Sequence, residues 1–162
     1  MKRLASIAAV AMFSMSAQAA VDPLEGNSGD IMLTGEVAKK CVLNLDKFRD
    51  QPYELSLEYP AVQSAGPSIR TWCNNSTPPS ISFTSKNGGL WNEEADKTIP
   101  YTAWMDGFGS LDLAGNPKVM PENEFGQGSD YHQRPIRYTP VVNGLEIAGT
   151  YTDTITIEIT PN

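Results

Sequence analysis

The sequence predicts an all-β fold built as an antiparallel sandwich, and three observations lead to this prediction. Apolar and polar residues alternate over several short runs, which is the period of a strand with one buried face. Turn-forming residues, among them 13 glycines and 12 prolines, separate the runs at intervals too short for most helices. With 162 residues, 40% of them hydrophobic and 19% charged, the chain is long enough for one packed domain.

The alternating runs follow one another along the chain. The first covers residues 31–45, where the odd positions are mostly apolar, and a second covers residues 53–59. Residues 87–98 and 121–135 are rich in Asn, Gly, Glu and Gln, and we expect them to form surface loops. The clearest run covers residues 150–160, in which four large apolar side chains share one face: Tyr151, Ile155, Ile157 and Ile159. Shorter candidate strands are residues 69–73, 81–83, 101–105, 111–113 and 136–138.

Residues 1–19 have the features of a secretory signal peptide. Two basic residues precede an apolar run at residues 4–15, and the segment ends in Ala17-Gln18-Ala19, the small-x-small pattern that a signal peptidase recognises. The apolar run is too short to cross roughly 30 Å of hydrocarbon as a helix. We therefore expect cleavage after Ala19, export of the remaining chain, and no membrane insertion once the signal is removed.

The charge and the cysteine content narrow the class of protein further. The formal net charge is −7, and it becomes −9 when the basic pair Lys2 and Arg3 leaves with the signal. A surface with this excess of carboxylates does not neutralise phosphates, so we expect no nucleic-acid partner. Export leads to an oxidising compartment, where two cysteines favour a disulfide over free thiols or a metal site. The chain-entropy relation values a bridge between Cys41 and Cys73 at about 3.7 kcal/mol.

The sequence contains no group of residues typical of an enzyme. His132 is the only histidine, so no histidine pair can bind zinc, and it lies in a polar run typical of a surface loop. There is no Gly-x-Ser-x-Gly motif, no phosphate-binding glycine-rich loop, and no calcium-loop spacing around Asp106 and Asp112. The neighbouring acids Glu93 and Glu94 are more typical of a solvated face than of a glycosidase pair. We therefore expect no catalytic residue, no metal and no cofactor.

Aromatic residues are the remaining candidates for a binding surface. In a sandwich most large aromatic side chains fill the core, and we expect Trp72 and Trp104 there. Trp91 stands beside Asn92 in a predicted loop, so a core position and an exposed position stay equally open for this residue.

Two features at the ends of the exported chain are unusual for a self-contained sandwich. Residues 20–30 contain Pro23, Gly26 and Gly29 and can bury little surface, so on their own they form a disordered lead-in. The strand predicted at residues 150–160 is apolar along one face, and no later strand is predicted to pair with it. An unpaired apolar edge is an aggregation hazard unless a partner covers it.

Both features resemble those of a known family. Residues 29–37, with the sequence GDIMLTGEV, lead through a Gly-x-Val step to Cys41, and this arrangement resembles the start of the structural pilins of the chaperone/usher pathway of Gram-negative bacteria. The second cysteine, Cys73, follows at a distance similar to that in the family. Residues 148–157, with the sequence AGTYTDTITI, resemble the end of such subunits, including the spore-coat-U-like group, in which Gly-x-Tyr-x-Asp opens the last strand. The chain ends in Thr-Pro-Asn, whereas many pilins have an aromatic residue near this point.

The resemblance implies an incomplete immunoglobulin-like antiparallel sandwich that is completed by a donor strand. It implies a donor-strand extension at residues 20–34 and a pilin domain at residues 35–162. A periplasmic chaperone would fill the groove first, and the extension of the next subunit would replace the chaperone at the outer-membrane usher. The implied donor residues are Val21, Asn27, Gly29, Ile31 and Leu33, and the implied edge of the acceptor groove consists of Tyr151, Ile155, Ile157 and Ile159.

The function that follows from the resemblance is that of a structural subunit of a cell-surface fimbrium that supports adhesion. Its partners would be neighbouring subunits, the chaperone and the usher, and a host receptor is left open. The alternative is a secreted, self-contained β-sandwich that binds a glycan or a host protein through loops near Trp91 and Phe108. A self-contained sandwich is a stable monomer, whereas an incomplete one requires a partner strand.

Overall fold

The computed structural model describes residues 30–45, 52–58 and 64–162, and over these ranges the protein is all-β, as predicted, with no helix. None of the described residues form a helix long and apolar enough to cross a membrane. In chain order the strands are β1 (Cys41–Leu45), β2 (Ser64–Cys73), β3 (Ser80–Ser85), β4 (Leu90–Asn92), β5 (Lys97–Ile99), β6 (Tyr101–Met105), β7 (Gly109–Ser110), β8 (Lys118–Val119), β9 (His132–Pro140) and β10 (Ile155–Thr160).

The strands form two main antiparallel sheets and one hairpin. The larger sheet has the order β1-β2-β9-β6-β7, the smaller has the order β10-β3-β8, and β4 pairs with β5. Several neighbours in the sheets, such as β2 with β9 and β10 with β3, are distant in sequence. Within the described residues, β1 and β10 are therefore edge strands of two different sheets.

The core lies between the two sheets and is formed by their inward-facing residues. Ile69, Met105 and Ile136 come from the larger sheet, and Ile81 and Phe83 come from the smaller one. All five are at most 2% exposed. Side chains in a strand alternate between its two faces, so the burial of every second residue follows from the pattern in the sequence. This face-to-face packing of antiparallel sheets is a β-sandwich.

A disulfide joins Cys41 and Cys73, as predicted, and ties β1 to β2. The two residues are directly opposite each other in the antiparallel pair, with their Cα atoms 4.1 Å apart. Asn74 holds the chain that enters β1. Its side chain accepts a hydrogen bond from Lys40 N at 2.7 Å and donates one to the Ala38 carbonyl oxygen at 2.8 Å. The edge of the larger sheet is thus fixed both covalently and by hydrogen bonds.

Six predicted elements differ from the structure. Residues 132–135, predicted as part of a loop, belong to β9, and of the run at residues 150–160 only the last six form a strand. Of the run at residues 31–45, only the last five form a strand, and residues 52–58 alternate between half-buried and exposed without belonging to one. The alternation predicted which side chains turn inward, but a strand also needs a neighbour for its backbone groups. Residues 87–98, predicted as a loop, contain the β4–β5 hairpin, in which Asp96 has a φ of 49°. Residues 111–113, predicted as a strand, instead follow the short β7.

The prediction that Trp72 and Trp104 fill the core is wrong. Trp72 is half-buried and Trp104 is 39% exposed, and both belong to the outer face of the larger sheet. Their strand neighbours Cys73 and Ala103 take the inward positions. The register of a strand, rather than the size of a side chain, decides which face a residue occupies.

A boundary between two structural units falls between Glu36 and Val37. In the first unit, the described residues 30–36 form no regular secondary structure and are exposed. The predicted signal peptide at residues 1–19 lies outside the described residues. The second unit begins at Val37 and contains all the strands named above. The predicted donor positions that also lie outside the described residues are Val21, Asn27 and Gly29.

Candidate strand-binding groove

The open edge of β10 is the feature of the structure best suited to binding a partner. β10 pairs with β3 from Ile155 opposite Ser85 to Thr160 opposite Ser80. Within the described residues, the other edge of β10 pairs with no strand. Backbone N–H and C=O groups along such an edge must bond to water or to an added strand.

The inward residues of β10 are only half-buried. Ile155, Ile157 and Ile159 pack against the margin of the core, while Thr156 and Glu158 between them are exposed. Because the isoleucines belong to the layer that faces the larger sheet, the apolar surface left open along β10 is part of the core itself. Over the residues that the structure describes, the core is thus only partly covered along the outer edge of β10.

β1 forms the wall opposite β10. It is the edge strand of the larger sheet, and Cα atoms of β1 and β10 approach within 8 Å of each other. Leu43 and Leu45 of β1 are half-buried and pack against the same core. Two edge strands from different sheets thus run close together, and their leucine and isoleucine side chains pack against one core. We call this feature, bounded by β1 and β10, the acceptor groove.

Residues 52–58 cover the Ile155 end of the acceptor groove. Tyr53 and Leu55 pack against the core, and the Tyr53 ring lies 6.3 Å from the ring of Tyr138 between centroids. A cavity of about 190 Å³ remains there, and the side chains that line it include Tyr53, Leu55, Tyr101, Tyr138, Asp153 and Ile155.

A polar network fixes the chain just before β10 begins. The Asp153 carboxylate accepts hydrogen bonds from the Ser85 hydroxyl at 2.5 Å, from the Tyr101 hydroxyl at 2.6 Å and from Asn87 N at 3.0 Å. Thr154 N donates to the same carboxylate at 2.7 Å. Because these bonds connect the ends of β3 and β6 to one carboxylate, they set the point at which β10 joins its sheet.

Burial changes the ionisation of two tyrosines at this pocket. Desolvation, followed by the hydrogen bond and negative charge of Asp153, raises the pKa of Tyr101 well above its ordinary value of 10.0. Desolvation, with a smaller contribution from Tyr53, raises the pKa of Tyr138 to about 12. Both hydroxyls are therefore neutral at physiological pH, and Tyr101 remains a hydrogen-bond donor to Asp153.

The predicted site residues occupy different places. Ile155, Ile157 and Ile159 lie along β10 at the acceptor groove. Tyr151 precedes β10, and its hydroxyl donates a hydrogen bond to the Ile147 carbonyl oxygen at 2.8 Å, so it braces the loop between β9 and β10. Two predicted donor residues in the other unit, Ile31 and Leu33, are 86% and 89% exposed.

Sequence reasoning missed the opposite wall of the acceptor groove and the cover at its end. The wall is formed by Leu43 and Leu45, and the cover is formed by Tyr53 and Leu55. The alternating pattern does mark all four as inward-facing. The pattern could not show that they meet β10, because that contact joins residues more than 100 positions apart in sequence.

His132 lies half-buried at the start of β9, not in the surface loop that its polar neighbours predict. Its Nε2 is 3.3 Å from the Glu124 carboxylate, to which Arg134 Nε donates a hydrogen bond at 2.6 Å. The hydrogen bond from Arg134, which outweighs the opposing effect of burial, lowers the pKa of Glu124 below its usual 4.5. In the part of the chain that the structure describes, no group of three His, Cys, Asp or Glu side chains could hold a metal ion.

The chemistry available at the acceptor groove is that of strand addition. An extended segment could pair with the free backbone groups of β10, and its alternate side chains could fill the spaces beside Ile155, Ile157 and Ile159. This kind of recognition uses backbone hydrogen bonds for affinity and side-chain fit for selectivity, and it needs neither charge nor metal.

Comparison with known proteins does not assign the chain to a family. No protein-family model matches the sequence, and no curated protein matches it. Among solved structures, the chain is similar to one in the CsuC–CsuE chaperone–tip adhesion subunit pre-assembly complex of the archaic chaperone-usher Csu pili of Acinetobacter baumannii, with a TM-score of 0.48 and 17% sequence identity. The match covers 76% of this chain but only 40% of that one. Similarity of this degree does not establish a shared family.

Proposed function

We propose that the protein is a structural subunit of a cell-surface fimbrium and that it polymerises by donor-strand exchange. In this proposal, residues 20–34 of one copy pair with β10 of the next and complete its sandwich. The single observation that carries the proposal is the edge of β10 that pairs with no strand in the described part of the chain, and whose inward isoleucines pack against the core and are only half-buried.

The free energy available at the acceptor groove is consistent with a stable complex. Fully burying an isoleucine side chain is worth about 1.5–3 kcal/mol relative to leaving it exposed. Because most of the surface of the three isoleucines is already buried, covering the rest adds about 1–3 kcal/mol in total. Each new backbone hydrogen bond along β10 adds about 0.5–1.5 kcal/mol.

The proposed donor segment has the complementary pattern. Ile31 and Leu33 would share one face of an extended strand, and the small residue Gly29, two positions before Ile31, would lie on the same face. Residues 20–34 would span roughly 50 Å when extended at about 3.3 Å per residue. The six residues of β10 span roughly 20 Å by the same rule, so the segment is long enough to cover the acceptor groove.

The proposal extends to partners and location. Before assembly, a periplasmic chaperone covers the acceptor groove, and the exchange takes place at an outer-membrane usher. The assembled fimbrium lies at the cell surface and supports adhesion. In this role the protein is not an enzyme and uses no cofactor or metal.

Four single substitutions in the donor segment test the proposal. Ile31→Asp and Leu33→Asp should abolish polymers that resist heat and detergent, because a charge buried in the acceptor groove costs several kcal/mol. Met32→Asp is the matched control: it lies between the two, is 88% exposed and would face away from the acceptor groove. This variant should polymerise like the parent, as should Glu25→Ala.

The outcome separates the proposal from its alternative. Polymers formed equally well by all variants would contradict donor-strand exchange. A chain that stays monomeric, with or without these substitutions, would favour the self-contained binding module.

A further inference from the structure

The outer face of the larger sheet carries an exposed tryptophan surrounded by polar groups. Trp104 of β6 is 39% exposed, and within residues 30–45, 52–58 and 64–162 its indole N–H has no hydrogen-bond partner. Trp72 on the same face differs, because its indole Nε1 donates a hydrogen bond to the Gly128 carbonyl oxygen at 2.7 Å and its ring lies 6.5 Å from Tyr131. The Arg137 guanidinium lies over one face of the Trp104 ring, so the exposed part available to a ligand is the other face and the indole N–H.

The strand register places one polar residue on each side of Trp104. Arg137 of β9 and Ser110 of β7 lie directly opposite it on the two neighbouring strands. Thr102 and Asp106 lie two residues before and after it along the chain, on the same face. Neighbouring strands are about 4.8 Å apart, and residues two apart in a strand are separated by about 6.8 Å. Polar residues thus surround Trp104 at backbone distances of about one strand spacing to one two-residue repeat.

These side chains line an open depression in the sheet surface. Its volume is about 460 Å³, and its lining includes Thr102, Trp104, Ser110 and Arg137. Small-molecule sites have volumes of roughly 300–1,000 Å³ and combine an apolar surface with a few placed polar groups. The depression has this composition, with the indole as its apolar part.

The charges at this site cancel. The Arg137 guanidinium lies 5.8 Å from the centre of the Trp104 ring, and its Nη2 is 3.3 Å from an Asp106 carboxylate oxygen. The carboxylate therefore neutralises the cation that would otherwise attract an anion. The rest of the exported chain carries a net negative charge, which also disfavours an acidic ligand.

We propose that this face binds a neutral saccharide, with one pyranose ring stacked on the Trp104 indole. The apolar C–H face of the sugar would cover the indole, while its hydroxyl groups would bond to Ser110, Thr102 and the Arg137 guanidinium. A tryptophan is suited to this role because its rigid ring offers a large contact area with a polar N–H at its edge. The site lies on the outer face of the larger sheet, so it is independent of the acceptor groove and of the proposed assembly.

The test uses the ¹⁵N-labelled exported chain with Ile31→Asp, mixed with an unlabelled synthetic peptide of residues 20–34, which together form a soluble one-to-one complex if assembly follows the proposed function. Methyl glycosides of glucose, galactose and mannose are titrated while the three indole N–H resonances are recorded. At least one neutral glycoside should shift the Trp104 resonance in a saturable way, with a Kd in the millimolar range, and leave the Trp72 resonance unchanged. If the variant still polymerises, the proposed function fails, and the same sugars are titrated against the polymer by tryptophan fluorescence.

Three substitutions test which side chains bind the saccharide. Trp104→Ala should lower the affinity roughly tenfold or more, and Arg137→Lys should lower it several-fold because the planar guanidinium is lost. Asp106→Asn should leave neutral sugars bound and add binding of methyl glucuronide, since it leaves the Arg137 charge unpaired. If Trp104→Ala fails to fold, Arg137→Lys and Asp106→Asn provide the same comparison. The absence of any saturable shift up to 100 mM glycoside, equal shifts of all three indoles, or a parent protein that prefers glucuronide would each overturn the proposal.

Discussion

Strands β3 and β10 lie side by side in the smaller sheet, yet their inward residues are buried to different degrees. Ile81 and Phe83 of β3 are 1% and 2% exposed, whereas Ile159 and Ile157, which lie opposite them, are only half-buried. The side chains are alike and face the same core. The difference is that β3 has hydrogen-bonded strands on both sides and β10, within the described residues, has one on one side only. Incomplete burial thus coincides with the edge that, among the described strands, has no paired neighbour, and under the proposed function an added strand would complete it.

The largest expected effect comes from releasing the wall of the acceptor groove that faces β10. Replacing both Cys41 and Cys73 by Ala removes the bridge that holds β1 against β2. The free energy of unfolding should fall by about 2–5 kcal/mol, as measured by denaturant titration. The parent in reducing buffer serves as the control and should lose a similar amount. A loss below about 1 kcal/mol in both would show that hydrogen bonds alone hold the edge.

The comparison of β3 with β10 can be sharpened by one matched pair of substitutions. Ile81→Ala should cost about 2–5 kcal/mol of unfolding free energy whether or not a donor peptide is bound, because its site is always buried. Ile157→Ala should cost clearly less in the free subunit and approach the cost of Ile81→Ala in the complex. Equal costs in the free subunit would contradict the view that the edge is incomplete.

A smaller effect is expected where Asp153 fixes the start of β10. Asp153→Asn keeps the shape but weakens the hydrogen bonds from Ser85 and Tyr101, so we expect a loss of about 1–3 kcal/mol in unfolding free energy. Donor peptide should also bind more weakly, because the Ile155 end of the acceptor groove loses its anchor. Asp112→Asn, at an exposed turn, is the control and should change peptide binding little.

The smallest effect is expected at Glu124, away from the acceptor groove. Its pKa in the folded protein is lowered by the Arg134 hydrogen bond, so its contribution to stability is present above the ordinary pKa of 4.5 and is lost as the pH falls through the lower, folded value. Glu124→Gln should therefore reduce the acid-induced drop in Tm, by the equivalent of about 1 kcal/mol or less. Thermal unfolding from pH 7 to pH 3 measures this, with Glu122→Gln as the control. A parent and a Glu124→Gln variant with the same pH dependence would contradict the assignment.

The sequence was sufficient to predict features that depend on local pattern. The alternation at residues 150–160 marked the inward isoleucines of β10, and the pair Cys41 and Cys73 matched the bridge between β1 and β2. The first signal is an alternation within a single strand. The second depends only on the tendency of two cysteines in an oxidising compartment to form a disulfide. Turn residues marked where most strands end.

Features that depend on pairing between remote segments could not be predicted. The pattern did not reveal that β1 and β10 flank one groove, because this depends on the order of strands in two sheets. Trp104 was expected inside and lies outside, since the register of β6 gives the inward positions to Ala103 and Met105. The β4–β5 hairpin was missed because its strands have only three residues each, too few for an alternation to be visible.

The most direct test of the central claim is to remove the proposed donor strand and to return it as a separate molecule. The chain lacking residues 20–34 is expressed in the periplasm, and a synthetic peptide of those residues is added before size-exclusion chromatography and thermal unfolding. If the acceptor groove is incomplete, the shortened chain aggregates or melts early, and the peptide yields a one-to-one complex with a clearly higher Tm. A peptide carrying Leu33→Asp should not do so. A shortened chain that is a stable monomer, with the same Tm with and without peptide, would contradict the claim.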